Sequence, residues 1–185
     1  MQKHPWKKLG RRTLVKSVWL KHHLDTVRLP SGKTIMFHAL DFPRKVAGVI
    51  PVGDDGRVLL TRQYRYMAKS YSWEMPAGNV PRGETVMKGA LRELEEETGY
   101  TARRIKLLYT FHPQIGRSNH LFHLFVATGL RKVSATYDTD EVSEIRWFSV
   151  RQLQAMVRRQ EFIDGFTLLG LLLWGLQGKG PRKRA

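Results

Sequence analysis

Cysteine is absent from the 185 residues of this chain, and its absence excludes two kinds of structure. Without thiols the chain can form neither a disulfide framework nor a thiolate metal site. A cysteine-free chain also fits a reducing compartment. Long apolar runs are missing too: the first 20 residues lack the core of a secretory signal, and the stretch 166–176 is about half a bilayer span. We therefore expect a soluble, cytoplasmic protein with no membrane span.

Acidic residues are scarce. The chain has 16 Asp and Glu against 32 Lys and Arg, which leaves a net charge of +16. No acid precedes Asp25, and the last seven residues carry four of the cations. Such termini bind nucleic acid or anionic membranes by releasing counterions, or they serve as solubilising, mobile ends. We favour the second role, and in either case the positive field attracts anionic substrates.

The hydrophobic content of 42% supplies a sizeable core for one domain in a chain of this length. The patterning predicts strands over 13–20, 22–29, 33–40, 46–52, 57–64, 103–112, 119–127 and 144–148, and helices over 84–98, 149–158 and 166–176. Ser149 with Gln152 forms a capping box, and Gly99 ends the first helix. Strands and helices interleave without a strict βαβ rhythm, so we expect an α/β fold with a mixed sheet flanked by helices.

Three glutamates share one face of the helix predicted over 84–98. Glu93, Glu96 and Glu97 fall within an arc of about 100° on its surface. The neighbouring apolar stripe, expected to pack on the sheet, consists of Met87, Ala90, Leu91 and Leu94. Each like-charge pair at this spacing costs an isolated helix about 0.2–0.5 kcal/mol. A hard divalent cation such as Mg²⁺ or Mn²⁺ would turn that repulsion into coordination. The alternative is a solvated acidic face.

The loop before this helix favours the metal site over the solvated face. Residues 78–84 include Pro81 and Gly83, which make a turn-rich entry to the helix. This entry places backbone groups and Glu84 close to the carboxylate cluster.

Loop and helix together resemble the Nudix box, Gly-x5-Glu-x7-Arg-Glu-U-x-Glu-Glu-x-Gly-U, in which U is a bulky apolar residue. The matching positions are Gly78, Glu84, Arg92, Glu93, Leu94, Glu96, Glu97, Gly99 and Tyr100. The chain is therefore identified as a member of the Nudix hydrolases. The resemblance implies an α/β/α sandwich around a mixed sheet, and hydrolysis of a pyrophosphate by attack of water at phosphorus.

The resemblance also implies roles for individual residues. The implied metal ligands are Glu93, Glu96, Glu97 and the carbonyl of Ala77, with Mg²⁺ as the ion and Mn²⁺ as an alternative. Arg92 is implied to orient these carboxylates, and Glu84 is implied as a supporting acid. The metal would polarise phosphoryl oxygens and lower the pKa of the attacking water. Because Glu97 is one of the implied ligands, it is also counted among the implied catalytic residues.

The similarity extends beyond the box, over roughly residues 15–176. The stretches 59–65 and 73–78, the 29–33 hairpin and Pro113 resemble ADP-ribose pyrophosphatases. In that subfamily the N-terminal strands form a small antiparallel sheet exchanged between two subunits, which implies a homodimer. The implied organisation is a basic flexible arm over 1–12, dimerisation strands over 13–44, a Nudix hydrolase domain over 45–177 and a basic tail over 178–185.

Four residues outside the box are implied to bind substrate. Arg62 and Arg65 would lie near its phosphates, because guanidinium groups offer charge and a hydrogen-bonding fork. Otherwise they are two exposed cations at a strand end. Trp19 and Phe37 stand where some ADP-sugar pyrophosphatases stack aromatics on adenine. Aromatic residues in strands also serve as plain core or as dimer interface.

The catalytic base in ADP-ribose pyrophosphatases is often a glutamate on a late loop. The acid-rich segment 137–144 occupies that place, with Glu141 as our first choice and Glu144 as the second. A solvated acidic loop is the alternative.

His120 departs from the resemblance, because an acid is common at that place, and a histidine there changes the charge of the pocket. We favour hydrolysis of ADP-ribose to AMP and ribose 5-phosphate. GDP-mannose or another nucleotide sugar is the first alternative. The basic termini would suit a triphosphate-capped RNA end as substrate, but the N-terminal sheet, which resembles that of ADP-ribose pyrophosphatases, argues against it. Nucleic acid bound by the termini is therefore not favoured. A Nudix-fold RNA-binding or regulatory module without catalysis should show broken box glutamates, and all are present.

Overall fold

The computed structural model describes residues 5–176, and the tail predicted over 178–185 lies outside that range. The contacts divide the chain into two units. One unit contains residues 5–45 together with 111–122, and the other contains residues 46–110 and 123–176. Among the described residues, every helix lacks the length and apolar character that a membrane span requires.

The first unit is built on a small antiparallel sheet with strand order β1-β2-β3. Its strands are β1 (Lys7–Lys16), β2 (Lys21–Arg28) and β3 (Thr34–Asp41). Between β2 and β3, Gly32 adopts φ 83°, and the Leu29 N–H donates to the Lys33 carbonyl at 2.8 Å. The antiparallel N-terminal sheet expected from the sequence is therefore confirmed.

Strand β1 corrects the expected flexible arm. Residues 7–12 lie in this strand, paired with β2, whereas residues 17–20, predicted as strand, do not. The guanidinium of Arg11 donates both to Oδ1 and to Oδ2 of Asp25 at 2.7 Å, and this pairing holds the Asp25 pKa below its usual range. Residues 7–12 were predicted to be mobile, but they pair with β2 along the strand, and the Arg11–Asp25 ion pair adds to this pairing.

The second unit contains a seven-stranded sheet with order β10-β5-β4-β9-β8, with β6 beside β5 and β7 beside β4. Its strands are β4 (Lys45–Val52), β5 (Val58–Arg65), β6 (Ser70–Glu74), β7 (Ala77–Val80), β8 (Tyr100–Phe111), β9 (Phe122–Lys132) and β10 (Val142–Phe148). Strands β6 and β7 were not predicted, because both are short and neither shows a run of alternating apolar residues. The mixed α/β fold class is confirmed.

Three helices complete this unit: α1 (Val86–Thr98), α2 (Val150–Arg158) and α3 (Gly165–Leu176). Gly99 ends α1 at φ 72°, and the Ser149–Gln152 capping box begins α2, both as predicted. Asp164 caps α3 by accepting the Thr167 N–H at 2.8 Å. The hydroxyl of Thr167 in turn accepts the Met75 N–H at 2.9 Å, which ties α3 to the segment before β7.

The buried face of α1 differs from the predicted apolar stripe. Ala90 and Leu94 pack in the core as expected, in a cluster with Ala47, Val49, Val80, Phe125 and Ala127. Met87, however, is 47% exposed, while Glu93 and Glu97 are buried. The buried arc of the helix is rotated toward the glutamates, so Met87 falls at its edge. This rotation places carboxylates against the sheet.

Candidate active site

Glu97 is the most enclosed carboxylate of α1, at 2% exposure. Strand alternation puts Thr61 and Gln63 of β5 on the face that meets it. The Gln63 amide donates to Glu97 Oε2 at 2.7 Å, and the Thr61 hydroxyl donates to the same oxygen at 3.3 Å. The Ala77 N–H donates to Oε1 at 3.1 Å. Donors from two strands, β5 and β7, therefore fix this one carboxylate.

The pKa of Glu97 is raised to about 8, chiefly by burial and also by the nearby Glu93 and Glu141, against the opposing Ala77 N–H. The Glu93 pKa is raised in the same way, by burial first and then by Glu96 and Glu141, while Arg92 opposes the change. Two neighbouring buried carboxyls therefore resist ionisation together. A cation between them would remove that resistance.

Glu93 lies directly over Gly78. A Cβ added at this glycine would fall onto the Glu93 carboxyl group, well inside van der Waals contact. The first residue of the box is therefore a glycine because the backbone of β7 must approach this carboxylate closely.

Arg92 connects the remaining acids of the box. One guanidinium nitrogen donates to Glu93 at 2.8 Å and to Glu96 at 2.7 Å. The other two donate to the Glu84 carboxylate, both at 3.2 Å, and one of these also reaches the Asn79 carbonyl at 2.9 Å. Burial lowers the Arg92 pKa, but these acids outweigh it and hold the pKa above its usual value.

The donor set fits a hard divalent cation by its chemistry. Within residues 5–176, no group of three acidic or histidine side chains is already arranged to hold a metal ion. The reason is that Arg92 holds Glu93 and Glu96 while β5 holds Glu97. Glu93 and Glu97 nevertheless form an oxygen-rich cluster that lacks compensating positive charge. Both have raised pKa values, and Gly78 leaves room for the Glu93 carboxyl group.

The loop before β10 is attached to the C-terminal end of α1. The Val133 and Ser134 N–H groups donate to the Gly99 carbonyl at 2.9 and 3.1 Å, and the Asp138 N–H donates to the Glu96 carbonyl at 2.8 Å. Glu141 follows on this loop, is exposed, and lies close enough to raise the pKa of Glu97.

Glu144, the second candidate for the base, has different surroundings. Its carboxylate pairs with Arg146 and lies 3.9 Å from Arg62. Of the two candidates, Glu141 is therefore the one whose charge raises the pKa values of Glu93 and Glu97.

The two strand arginines lie on opposite faces of β5, because they are three residues apart on a regularly paired strand. Arg65 lies on the face of β5 that meets Glu97. Its guanidinium donates two hydrogen bonds to the buried Glu74 carboxylate, which raises the Arg65 pKa. Arg62 lies over the Tyr71 ring, 4.7 Å from its centroid. Both arginines were predicted to lie near the substrate phosphates, and in the structure Arg65 is the one that shares a face with the carboxylates.

Trp19 and Phe37 belong to the first unit and have different surroundings. Trp19 is 60% exposed, and the Arg44 guanidinium lies 5.4 Å from its centroid. Phe37 is half-buried, meets Trp6 edge-on at 5.9 Å, and lines a cavity of about 350 Å³.

His120, in the same unit, stacks on Phe42 with ring centroids 4.4 Å apart. Burial lowers the His120 pKa. The position therefore carries a predominantly neutral ring near pH 7 instead of the usual acid.

Sequence reasoning missed Thr61, Gln63 and Glu74 as partners of the site. One signal was available in β5. Thr61 and Gln63 alternate along its inward face, and the residues before them in the strand, 58–60, are apolar and buried. A buried glutamine in such a position needs a polar partner.

Comparison with known proteins agrees with this geometry. A family model described as NUDIX domain matches residues 42–166. The chain therefore belongs to the Nudix family and is a Nudix hydrolase, a class of enzymes that in general needs a divalent metal.

Within that family the chain is ADP-ribose pyrophosphatase-like. It is 32% identical over 147 residues to the ADP-ribose pyrophosphatase of Bacillus subtilis. The matched region covers 78% of this chain and 79% of that protein. It is 31% identical over 175 residues to the CMP-5'-(N-acetyl-N-hydroxy-3-aminopropyl)phosphonate hydrolase of Streptomyces rubellomurinus, covering 94% and 84%. A crystal structure of an ADP compounds hydrolase matches with TM-score 0.86 at 20% identity, over 98% of this chain and 100% of that one, and shows the same fold.

Proposed function

We propose that this protein is a Mg²⁺-dependent pyrophosphohydrolase that cleaves ADP-ribose to AMP and ribose 5-phosphate. The observation that carries this proposal is the pair of buried carboxyls, Glu93 and Glu97, whose pKa values are raised by burial and by neighbouring glutamates. The substrate is supported by the similarity to the ADP-ribose pyrophosphatase of Bacillus subtilis.

The proposed roles rest on the resemblance to the Nudix box and are supported by the contacts of the box residues. The ligands to Mg²⁺, or to Mn²⁺, are Glu93, Glu96, Glu97 and the carbonyl of Ala77. When bound, the ion supplies charge that polarises phosphoryl oxygens and lowers the pKa of water. Arg92, kept in place by Glu84, orients the helix carboxylates. Arg65 supplies positive charge on the face that the phosphates approach.

Glu141 acts as the general base. It takes a proton from the attacking water, the water oxygen bonds to phosphorus, and the bridging oxygen leaves with the other phosphate. The bonds from its loop to the Glu96 and Gly99 carbonyls attach this base to the helix that carries the ligands.

Replacing Glu141 with Gln is expected to lower kcat about 10²–10⁴-fold, because the amide cannot accept the proton from water. Glu144→Gln is the matched control on the same segment and should stay within about 3-fold of the unmodified protein, since Glu144 pairs with arginines instead. Steady-state hydrolysis with saturating Mg²⁺ measures both variants. The opposite ranking would assign the base to Glu144.

A substrate panel tests the proposed function. It comprises ADP-ribose, GDP-mannose, a CMP-linked phosphonate, a dinucleoside polyphosphate and 5′-triphosphate RNA, each with Mg²⁺. ADP-ribose should give the highest kcat/KM, with AMP and ribose 5-phosphate as products. Turnover of GDP-mannose at an equal or higher kcat/KM would make the chain a pyrophosphatase of another nucleotide sugar. The CMP-linked compound is included because of the similarity to the Streptomyces rubellomurinus hydrolase.

We propose a homodimer through the N-terminal strands. Strand β1 is exposed along its whole length, and the apolar Val15 and Val18 are 52% and 70% exposed. Apolar surface of this kind marks an interaction site. Light scattering should give about twice the 21.4 kDa chain mass, and a single-chain mass at micromolar concentration would contradict the dimer. Contact of Trp19 and Phe37 with adenine remains part of the proposal.

A further inference from the structure

A second surface lies on the far side of β5 from the carboxylates. Strand alternation turns Arg62 of β5 and Tyr71 and Trp73 of β6 to this side, where β10 adds Arg146 and the first turn of α2 adds Arg151. These five residues form what we call the arginine–aromatic face.

Arginines and aromatic rings alternate across this face. The guanidinium of Arg62 lies 4.7 Å from the Tyr71 centroid, and that of Arg146 lies 5.0 Å from the Trp73 centroid. Tyr64 extends the row, with its ring 5.4 Å from that of Tyr71. Arg62, Tyr71 and Arg146 are 44%, 51% and 55% exposed, so their planar groups are open to a ligand.

Positive charge exceeds negative charge along this face. Glu144 is shared between Arg62 and Arg146, and Glu161 pairs with Arg159 at the far end. Arg151 makes no ion pair within the described part of the chain. The three arginines of the face and the neighbouring Arg159 stand against Glu144 and Glu161, which leaves two uncompensated positive charges. A cavity of about 410 Å³, lined by Trp73, Arg146, Arg151 and Arg159, ends the row.

We propose that the arginine–aromatic face binds single-stranded nucleic acid. Aromatic rings and guanidinium planes are stacking platforms for bases of any sequence, and the uncompensated arginines attract phosphates. The row crosses three strands, each about 4.8 Å from the next, and continues onto α2. That span matches several nucleotides better than a single small molecule. Duplex bases are already stacked, so a single strand fits best.

Fluorescence anisotropy with a labelled 12-nucleotide oligouridylate tests the proposal on the full chain. The oligonucleotide carries a 5′-hydroxyl, so it has no pyrophosphate for the carboxylate site to cleave. We expect micromolar binding that weakens as salt rises, and a duplex of equal length should bind more weakly. Absence of binding at low salt, equal binding of the duplex, or displacement by stoichiometric ADP-ribose would overturn the proposal.

Two pairs of variants place the binding on this face. Tyr71→Ala should weaken binding about 5-fold or more, whereas Tyr71→Phe keeps a ring for stacking and should bind normally. The double variant R146Q/R151Q should weaken binding about 10-fold and flatten the salt dependence. The double variant R104Q/K106Q removes equal charge from exposed positions of β8 and should change binding less than about 2-fold. Equal losses in both double variants would assign the binding to general charge and refute the face.

Discussion

Glu97→Gln is expected to lower hydrolysis about 10²–10³-fold or more while stabilising the metal-free protein at pH 8. The loss of activity follows because the amide removes one negative ligand from a site whose function is to hold positive charge near the phosphates. The fold should persist, because the oxygen of an amide of the same shape can still accept the Ala77 N–H. Its NH2 group can donate to the Thr61 hydroxyl and to the Gln63 side-chain oxygen once the Gln63 amide turns over.

The gain in stability follows from the raised pKa. In the unfolded chain the Glu97 carboxyl ionises near 4.5, whereas in the folded protein it ionises near 8. Between these values the unfolded state releases a proton that the folded state retains, so the free energy of unfolding falls as pH rises. The full difference corresponds to on the order of 5 kcal/mol at pH 8 and above, and it vanishes below pH 4.5.

Urea unfolding of the metal-free protein between pH 5 and pH 8.5 measures this effect, alongside hydrolysis assays. The unmodified protein should lose stability over this range and regain it with Mg²⁺, most strongly at high pH. Glu97→Gln should flatten the dependence. Glu95→Gln is the matched control, because Glu95 is exposed on the same helix, and it should leave activity and stability nearly unchanged. Near-normal hydrolysis by Glu97→Gln would remove this residue from the metal site.

Gly78→Ala is expected to lower hydrolysis about 10²-fold with little change in melting temperature. The new Cβ takes the place of the Glu93 carboxyl group, which must swing away from its contact with Arg92. Moving the free end of a side chain costs little in folding, but it displaces a proposed ligand, and misplaced catalytic groups lower rates steeply.

Gly175→Ala is the control for this substitution. Gly175 lies in α3, and the space that an alanine methyl group would occupy there is open, so alanine should leave hydrolysis unchanged and stabilise the helix by roughly 0.5–1 kcal/mol. Mg²⁺ affinity measured by calorimetry should fall for Gly78→Ala alone. If that variant hydrolyses substrate at a normal rate, Glu93 does not act from the position it occupies in this structure.

Local features of the fold were predictable where they depend on neighbouring residues. The end of α1 at Gly99 and the capping box at Ser149 were correct to the residue, because caps are set within one helical turn. The shared helix face of the three glutamates was equally predictable. Strands β6 and β7 were not, because they exist only through pairing with β5 and β4.

The amino-acid sequence by itself determined which acids the protein presents and in what order along one helix, because helical spacing is a local property of the backbone. Only the tertiary structure decided which partner each acid meets. Glu97 meets Gln63 across 34 residues, and Arg62 and Arg65 lie on opposite faces of β5. The charge of Glu141, and not that of Glu144, is the one that raises the pKa values of Glu93 and Glu97. These outcomes depend on strand register, in which a shift of one residue exchanges the two faces of a strand, and no local pattern sets that register.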